Sequence, residues 1–314
     1  MNEVTVWMWT GFLLAAYSVI ANDSIQTLGT WIASNRKVNW KIMWGFASAV
    51  LLIAIWYGWW AYDGDISYGR LNKIPFEGVE WYQALAPAVL LILTRFGVPV
   101  STSFLVLSAF ASTLILQKVL MKSMLGYAVA GVAAYFIWLA LTRLIDEGKS
   151  IKESNKKWWV IGQWVTTGFL WWTWLSHDMA NIAVYLPRQI PVEVMFIISA
   201  VFVGGLAWML QHRGGKIQEI VVQKKNTKYV RSATLIDLFY FVILYVFKEM
   251  NDIPMSTTWV FVGLLTGREL AIASFRQKDS VKKVFPVVGR DFLKLMVGLA
   301  ASVGIVLLVQ YAKG

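Results

Sequence analysis

Six apolar runs, each about as long as a bilayer-crossing helix, restrict what this chain can become: Val4–Ala21, Lys41–Ala61, Met124–Ile145, Trp158–Ser176, Val192–Gln211 and Gly289–Ala312. A spanning helix needs about 20 mostly apolar residues, and it must satisfy its own backbone because the hydrocarbon core holds no water. The 314 residues are 58% hydrophobic and only 15% charged, whereas soluble domains run about 45–50% apolar and about 25% charged. The same balance excludes a disordered chain, which needs low hydrophobicity and high net charge. An all-α, multi-pass integral membrane protein follows, with the cell membrane as its expected place. Eighteen Trp, many near the ends of the runs, fit interfacial belts. There is no Cys, so disulfides, thiol chemistry and Cys-based metal sites are excluded. Glu3 is the only charge before the first run, which therefore lacks the positive flank of a secretion signal and is expected to be a retained span.

Two further apolar stretches, Trp81–Gln117 and Ala233–Ala271, are each interrupted near the middle, by Gly97-Val98-Pro99-Val100-Ser101-Thr102-Ser103 and by Asn251-Asp252-Ile253-Pro254-Met255-Ser256-Thr257-Thr258. Proline lacks a backbone donor and pushes the preceding residue out of the helical region, so a helix, a break and a second helix are expected at each. Such a unit is either a re-entrant hairpin or a pair of short spans. Either adds an even number of crossings, which leaves the orientation open to a charge count. With the N-terminus outside, twenty of the 29 Lys and Arg fall on inner segments. Six fall on outer ones (Arg70, Lys73, Lys118, Lys122, Arg188 and Lys313), and Arg95, Lys248 and Lys294 lie within or near the apolar stretches. The positive-inside rule then places both termini outside. The formal net charge of +11 is mostly this orientation signal, and no nucleic-acid partner is expected.

The chain also repeats itself. Asp23 and Asp178 each follow a long apolar run, and both precede a hydroxyl cluster by the same interval, 78 residues to Ser101 and 78 to Ser256. At the common offset of 155, Gln26 overlays Asn181, Pro99 overlays Pro254 and Thr102 overlays Thr257. Each half then holds three full spans plus one broken hairpin, and an odd number of crossings forces the second copy upside down. The expected boundaries are 1–146 for the first repeat, 147–157 for a cytoplasmic linker and 158–314 for the inverted second repeat. Inverted repeats with broken helices are the signature of secondary transporters, whose sites lie near the midplane between the repeats.

Carboxylates inside the membrane are expensive and usually face a cavity or a partner. Carboxylate and amide oxygens suit a hard cation such as sodium, and a carboxylate can also carry a proton, so Asn22, Asp23, His177 and Asp178 are the candidate coupling residues. With His212 the only other histidine, no multi-histidine metal site can be assembled, and no metal is expected beyond Na+ at Asp23 and Asp178. A hydrogen-bonded structural or proton-linked role is expected for His177. Ser101, Thr102, Ser103, Ser256, Thr257 and Thr258 would begin the second arm of each hairpin. There, free N–H groups, a positive dipole end and hydroxyl donors make an anion site, although Ser and Thr also cap helices without any ligand. With Gln26 and Asn181, these six are the candidate substrate ligands. Arg95, Lys248, Glu249 and Asp252 stand close to the breaks and are candidates for tuning the site or for pairing with each other. Cations placed between the acids and the anion would relieve their repulsion, which is a physical reason for coupling.

These motifs resemble those of the inorganic phosphate transporter family, the cation-coupled permeases called PiT. That family carries a G-A-N-D-x-x-N-A type signature and a G-x-P-x-S-T-T-H type hairpin motif in each inverted half. The matching stretches are Ala21-Asn22-Asp23-Ser24-Ile25-Gln26-Thr27-Leu28-Gly29-Thr30, Ser176-His177-Asp178-Met179-Ala180-Asn181-Ile182-Ala183, Gly97 to Phe104 and Asp252 to Trp259. The resemblance implies that Asp23, Asp178, Asn22 and Asn181 help hold cations and anion, and that the hairpin hydroxyls contact an oxyanion. The chain departs from the pattern at Gln26 and His177, where the family has Asn, and at Phe104 and Trp259, where it usually has His. Tyr185-Leu186-Pro187 also stands near where a Gly-Pro often follows the second signature. The family has a sulfate-transporting branch. The expected function is symport of a small inorganic oxyanion, phosphate first and sulfate second, coupled to Na+ or H+ by alternating access. No further cofactor is expected, and the chain has no G-x-x-x-x-G-K-[ST] nucleotide loop. The expected partners are the oxyanion and the lipid bilayer, with a second copy of the chain as the candidate for assembly. Two rivals from other classes are a membrane-embedded hydrolase or transferase using Asp23, Asp178 and His177, and a passive channel. The first would not require two matched halves, and no Ser–His pairing or metal-ligand spacing supports it.

Overall fold

The computed structural model describes residues 3–96, 98, 100–107, 109–110, 113–144, 153–214, 218, 229–249, 256–276 and 278–312. These residues are helical with connecting turns, and no strand occurs among them. Five helices are long and apolar enough to cross a membrane: Trp40–Ala61, Gln117–Leu141, Val192–Gln211, Thr257–Phe275 and Val284–Ala312. The chain is a multi-pass membrane protein.

The first helical path is longer than its apolar run. Helix α1 (Glu3–Ser18) passes through a π-turn at Val19–Asp23 into α2 (Ser24–Ser34). Asn22 and Asp23 therefore sit inside the path, and do not close it as the sequence suggests. The π-turn is marked by the Ser24 amide, which bonds Val19 O. Such single-turn bulges inside helices are frequent at functional sites. No proline interrupts Ser24–Ser34, and Thr30 and Ser34 find partners in Asp237 and Gln163 on other helices, so the path runs on to Asn35.

Helix α3 (Trp40–Ala61) starts at Asn39, whose side chain accepts the Lys41 amide at 3.0 Å. Helix α4 (Trp81–Arg95) starts with a reciprocal box in which Gln83 Oε1 accepts from the Glu80 amide at 2.8 Å. Pro87 lies inside α4 and cannot donate to the carbonyl of Gln83 four residues back. The fully buried Tyr185 hydroxyl donates to that carbonyl instead, at 3.0 Å. A break follows, then the short α5 (Thr102–Leu107), a second turn, and α6 (Thr113–Leu144). Helix α6 absorbs both the end of the first broken stretch and the run expected at Met124–Ile145.

In the second half, α7 (Glu153–Asp178) begins inside the stretch expected as linker. Helix α8 (Ala180–Ala183) is only a turn long and stops before Pro187. Helices α9 (Val192–Gln211), α10 (Val230–Glu249), α11 (Thr257–Arg276) and α12 (Lys278–Ala312) complete the fold. Thr102 and Thr257, 155 residues apart, are each the first residue of the arm after a break. Pro99, Asn251, Asp252 and Pro254, and the side chains of Lys248 and Glu249, lie outside the described residues.

Helices α6 and α11 meet backbone to backbone. A Cβ on Gly263 would stand 2.4 Å from Tyr127 O, and one on Gly267 would stand 1.9 Å from Gly131 O. With lipid as apolar as any side chain, close approach at small residues is what holds such helices together.

Candidate functional site

Asp23 and Asp178 are both buried, and each is held by a side chain from its own helical path and one from a hairpin arm. Asn22 Nδ2 donates to Asp23 Oδ1 at 2.6 Å, and Gln26 Nε2 lies 3.5 Å from the same oxygen. The Thr102 hydroxyl donates to Asp23 Oδ2. Around the other acid, Asn181 Nδ2 donates to Asp178 Oδ1 at 2.8 Å and Ser103 Oγ donates to it at 3.3 Å. Thr257, the counterpart of Thr102, sits beside Asp178. The two carboxylates are near enough for Asp23 to feel the charge of Asp178.

The hairpin starts are built alike. Ser101 Oγ accepts the Phe104 amide and Ser256 Oγ accepts the Trp259 amide, both at 3.2 Å. These two serines cap their helices. Thr258 Oγ1 and Asn22 Nδ2 both donate to the Val100 carbonyl, at 3.4 and 3.1 Å, which ties the second hairpin to the first signature. Asn181 Nδ2 also reaches Ser103 Oγ at 3.2 Å. Phe104 and Trp259, again 155 residues apart, touch each other with ring centroids 5.7 Å apart. The structure thus brings Asn22, Asp23, Gln26, Thr102, Ser103, Asp178, Asn181, Thr257 and Thr258 together. His177 turns elsewhere, with Nε2 3.3 Å from Leu244 O.

The atoms left over define what the cluster can hold. Asn22 Oδ1, Gln26 Oε1, Asp178 Oδ2 and Asn181 Oδ1 are buried and have no hydrogen-bond partner. The amide nitrogens of these residues are engaged by carboxylates, a carbonyl and a hydroxyl, so the amides present oxygen outward. An unpaired buried oxygen is costly, and amide and carboxylate oxygens are the ligand types a hard cation takes. Among the described residues no group of three or more His, Cys, Asp and Glu gathers into a metal cluster. The donor set is one of amide, hydroxyl and carboxylate oxygens.

Three buried groups carry no signal in the repeat. Tyr240 lies close enough to both acids to feel their charge, and its hydroxyl donates to Thr257 O at 3.1 Å. Arg70, counted in the sequence as an outer-loop cation, is buried. Its Nε donates to Ser176 O at 2.9 Å, and its charge reaches Asp178. The Arg70 loop is ordered by Asp65, which accepts from the Ser67 amide at 2.7 Å and the Gly69 amide at 3.0 Å. In the same loop, burial and then the neighbouring Tyr57 and Tyr62 push the Tyr68 phenol above its ordinary range. Asp237, on α10, is the third group. It accepts from the Thr30 hydroxyl, and from Thr167 Oγ1 at 2.7 Å. An acid in an apolar helix is visible in the sequence, but the residue 155 before Asp237 is Tyr82, so a search for pairs passes over it. Arg95 lies on the wall of a cavity of about 520 Å³ with Tyr17, Ala21, Ile25, Trp208 and His212.

No protein-family model and no curated protein matches the chain. Among solved structures, one described as "The sodium-dependent phosphate transporter" is similar, with a TM-score of 0.63 over 99% of this chain and 100% of that one, at 16% sequence identity. The chain has that transporter's fold. At this identity the likeness speaks for architecture, and the chemistry of the site has to be argued from its own residues.

Proposed function

We propose that this protein is a cation-coupled secondary transporter of a small inorganic oxyanion, phosphate first and sulfate second. The observation that carries the proposal is the pair of buried acids, each held by its own signature and by a hairpin arm, with four unpartnered acceptor oxygens around them. The fold shared with a protein described as a sodium-dependent phosphate transporter supports the same reading.

In this reading Asp23, Asp178, Asn22, Gln26 and Asn181 hold the coupling cations. Gln26 and Asn181 thereby move from the substrate side, where the sequence put them, to the cation side, because their free atoms are acceptors. The oxyanion meets donors: the hydroxyls of Thr102 and Ser103, released from the carboxylates when cations take those oxygens, with those of Thr257, beside Asp178, and of Thr258, which leaves the Val100 carbonyl. Ser101 and Ser256 hold the hairpin starts in shape. Cation binding then prepares the anion site, because it neutralises the acids and frees the hydroxyls that had been donating to them. That is a coupling free energy between two sites, and it is necessarily reciprocal.

The two halves, 1–146 and 158–314, act as inverted repeats joined by an inner linker, with both termini outside, and alternate access to the site between them. Contact between equivalent residues, as at Phe104 and Trp259, is what an axis relating two copies produces. The test is linkage. Anion affinity of the purified protein, measured by calorimetry or thermal shift, should rise about 5- to 150-fold when the coupling cation is added, the usual range of such couplings. Running sodium against choline, and phosphate against sulfate, identifies both ions. Equal anion affinity with and without every cation tried would defeat the coupling mechanism.

A further inference from the structure

Asp237 stands apart from the paired acids. It is 1% exposed, inside α10, at a junction where α2 supplies Thr30 and α7 supplies Thr167. Both of its oxygens are occupied, one by each threonine hydroxyl, and neither appears among the buried atoms without a partner. This is the reverse of the central cluster, where acceptor oxygens are left over. A metal ion would need several open oxygens, and both of those on Asp237 are taken. A proton needs only one.

The choice of partners also matters. A lysine or arginine would hold a carboxylate in its charged form. A hydroxyl donates to the ionised carboxylate and, after turning about its C–O bond, accepts from the protonated one, so it serves both states. Thr30 is committed to this task in a way its neighbours are not. On the same helix, Thr27 and Ser34 give their hydroxyls to carbonyls four residues back, at 3.4 and 2.9 Å, whereas the Thr30 hydroxyl goes to Asp237. The cost of a carboxylate in the membrane makes its retention a functional question by default.

We infer that Asp237, with Thr30 and Thr167 as its reversible partners, is a proton-exchanging site separate from the Asp23–Asp178 cation cluster. Its step is balanced: the carboxylate and a hydronium ion give a carboxylic acid and water on one side of the membrane, and the reverse follows on the other. The titratable and charged groups on the elements around it are accounted for. On α10, Tyr240 is turned to Thr257 O, and Arg231 lies at the helix start. The α1–α2 path carries Glu3 at its start and Asp23 in the central cluster; α7 carries Glu153, Lys156 and Lys157 in its first turns, and His177, with Nε2 3.3 Å from Leu244 O, and Asp178 at its end; α10 ends on Lys248 and Glu249, and α11 on Arg276. Arg268 of α11 pairs with Glu269 at 2.9 Å and bonds Ser232 Oγ at 2.9 Å. The proposal rests on the transporter reading for its purpose, since it adds a proton to the ions that move or gate the cycle.

Two measurements separate the proposal from that reading. Infrared difference spectra of the purified protein, recorded across a pH series, should show a carboxylic-acid carbonyl band that is present in wild type, lost in Asp237→Asn and kept in Asp23→Asn. This readout does not depend on transport. In proteoliposomes, Asp237→Asn should keep sodium-driven phosphate uptake within about twofold and lose its dependence on a pH gradient, with Asp237→Glu restoring it. A band that survives Asp237→Asn, or an unchanged pH-gradient dependence in that variant, overturns the proposal. If no anion accumulates even in wild type, the transporter reading fails while the band still decides the proton site. Should Asp237→Asn fail to fold, Thr167→Val replaces it: the band must then move along the pH axis, and an unmoved band contradicts the proposal.

Discussion

Asp23 and Asp178 are distinguished among the buried polar residues by what their neighbours leave undone. At Asp237 two hydroxyls occupy both carboxylate oxygens. Around the paired acids, three amide oxygens and one carboxylate oxygen stay open. Replacing either carboxylate by an amide preserves size and most hydrogen bonds but removes a charged ligand, a contact worth about 1.5–3 kcal/mol. Asp23→Asn and Asp178→Asn should each weaken cation affinity by about 10- to 150-fold in a sodium titration of phosphate uptake, with the melting temperature in detergent nearly unchanged. Normal cation dependence in both variants would remove them from the coupling site. The residues that form this cluster were legible because they recur at one offset. Arg70, Tyr240 and Asp237 were not, because each enters from an element whose counterpart carries a different residue, and only packing brings them near. His177, beside Asp178 in sequence, has its Nε2 3.3 Å from Leu244 O.

Among the elements, the helix starts at Thr102 and Thr257 were the most readable, since hydroxyl clusters mark a new start. The π-turn at Val19–Asp23 left no such mark. It depends on where α2 goes next, and α2 persists because Thr30 and Asn35 find Asp237 and Gln163 on other helices, the second pair at 2.9 Å. The length of α8 went unread for a related reason: the signature continues past Asn181, but Pro187 lies too close for a second long helix. The contact between α6 and α11 makes a sharper test. Gly263 and Gly267 lie one turn apart against the backbone of Tyr127 and Gly131, so a side chain there meets carbonyl oxygen that cannot turn aside. Gly267→Leu should separate the two helices and cost about 1–3 kcal/mol or more, the usual penalty for overfilling a packed interface. Thermal unfolding in detergent reads this directly, and a melting temperature equal to wild type would mean that the helices do not meet there.

For the molecule as a whole, composition and run lengths sufficed for a multi-pass helical protein, and the charge count supplied an orientation. The absence of cysteine makes that orientation simple to test. Lys73, exposed in the loop between α3 and α4, and His212, exposed at the end of α9, belong to opposite sides by the count. In intact cells, a membrane-impermeant maleimide should label Lys73→Cys and spare His212→Cys until the membrane is opened; the converse pattern would invert the assignment. What sequence could not reach was the relation between the halves, because a common offset does not say that equivalent residues meet. The structure shows Phe104 against Trp259, and Ser103 of the first hairpin donating to Asp178 of the second half.

The central claim is coupled transport at the paired acids, and accumulation tests it most directly. Purified protein in liposomes, loaded with unlabelled phosphate and given an inward sodium gradient, should concentrate external radiolabelled phosphate above its equilibrium level and release it when the gradient is collapsed. Parallel arms with a proton gradient and with sulfate identify the coupling ion and the anion. Uptake that stops at equilibrium under every gradient, or no uptake of either anion, would contradict the account.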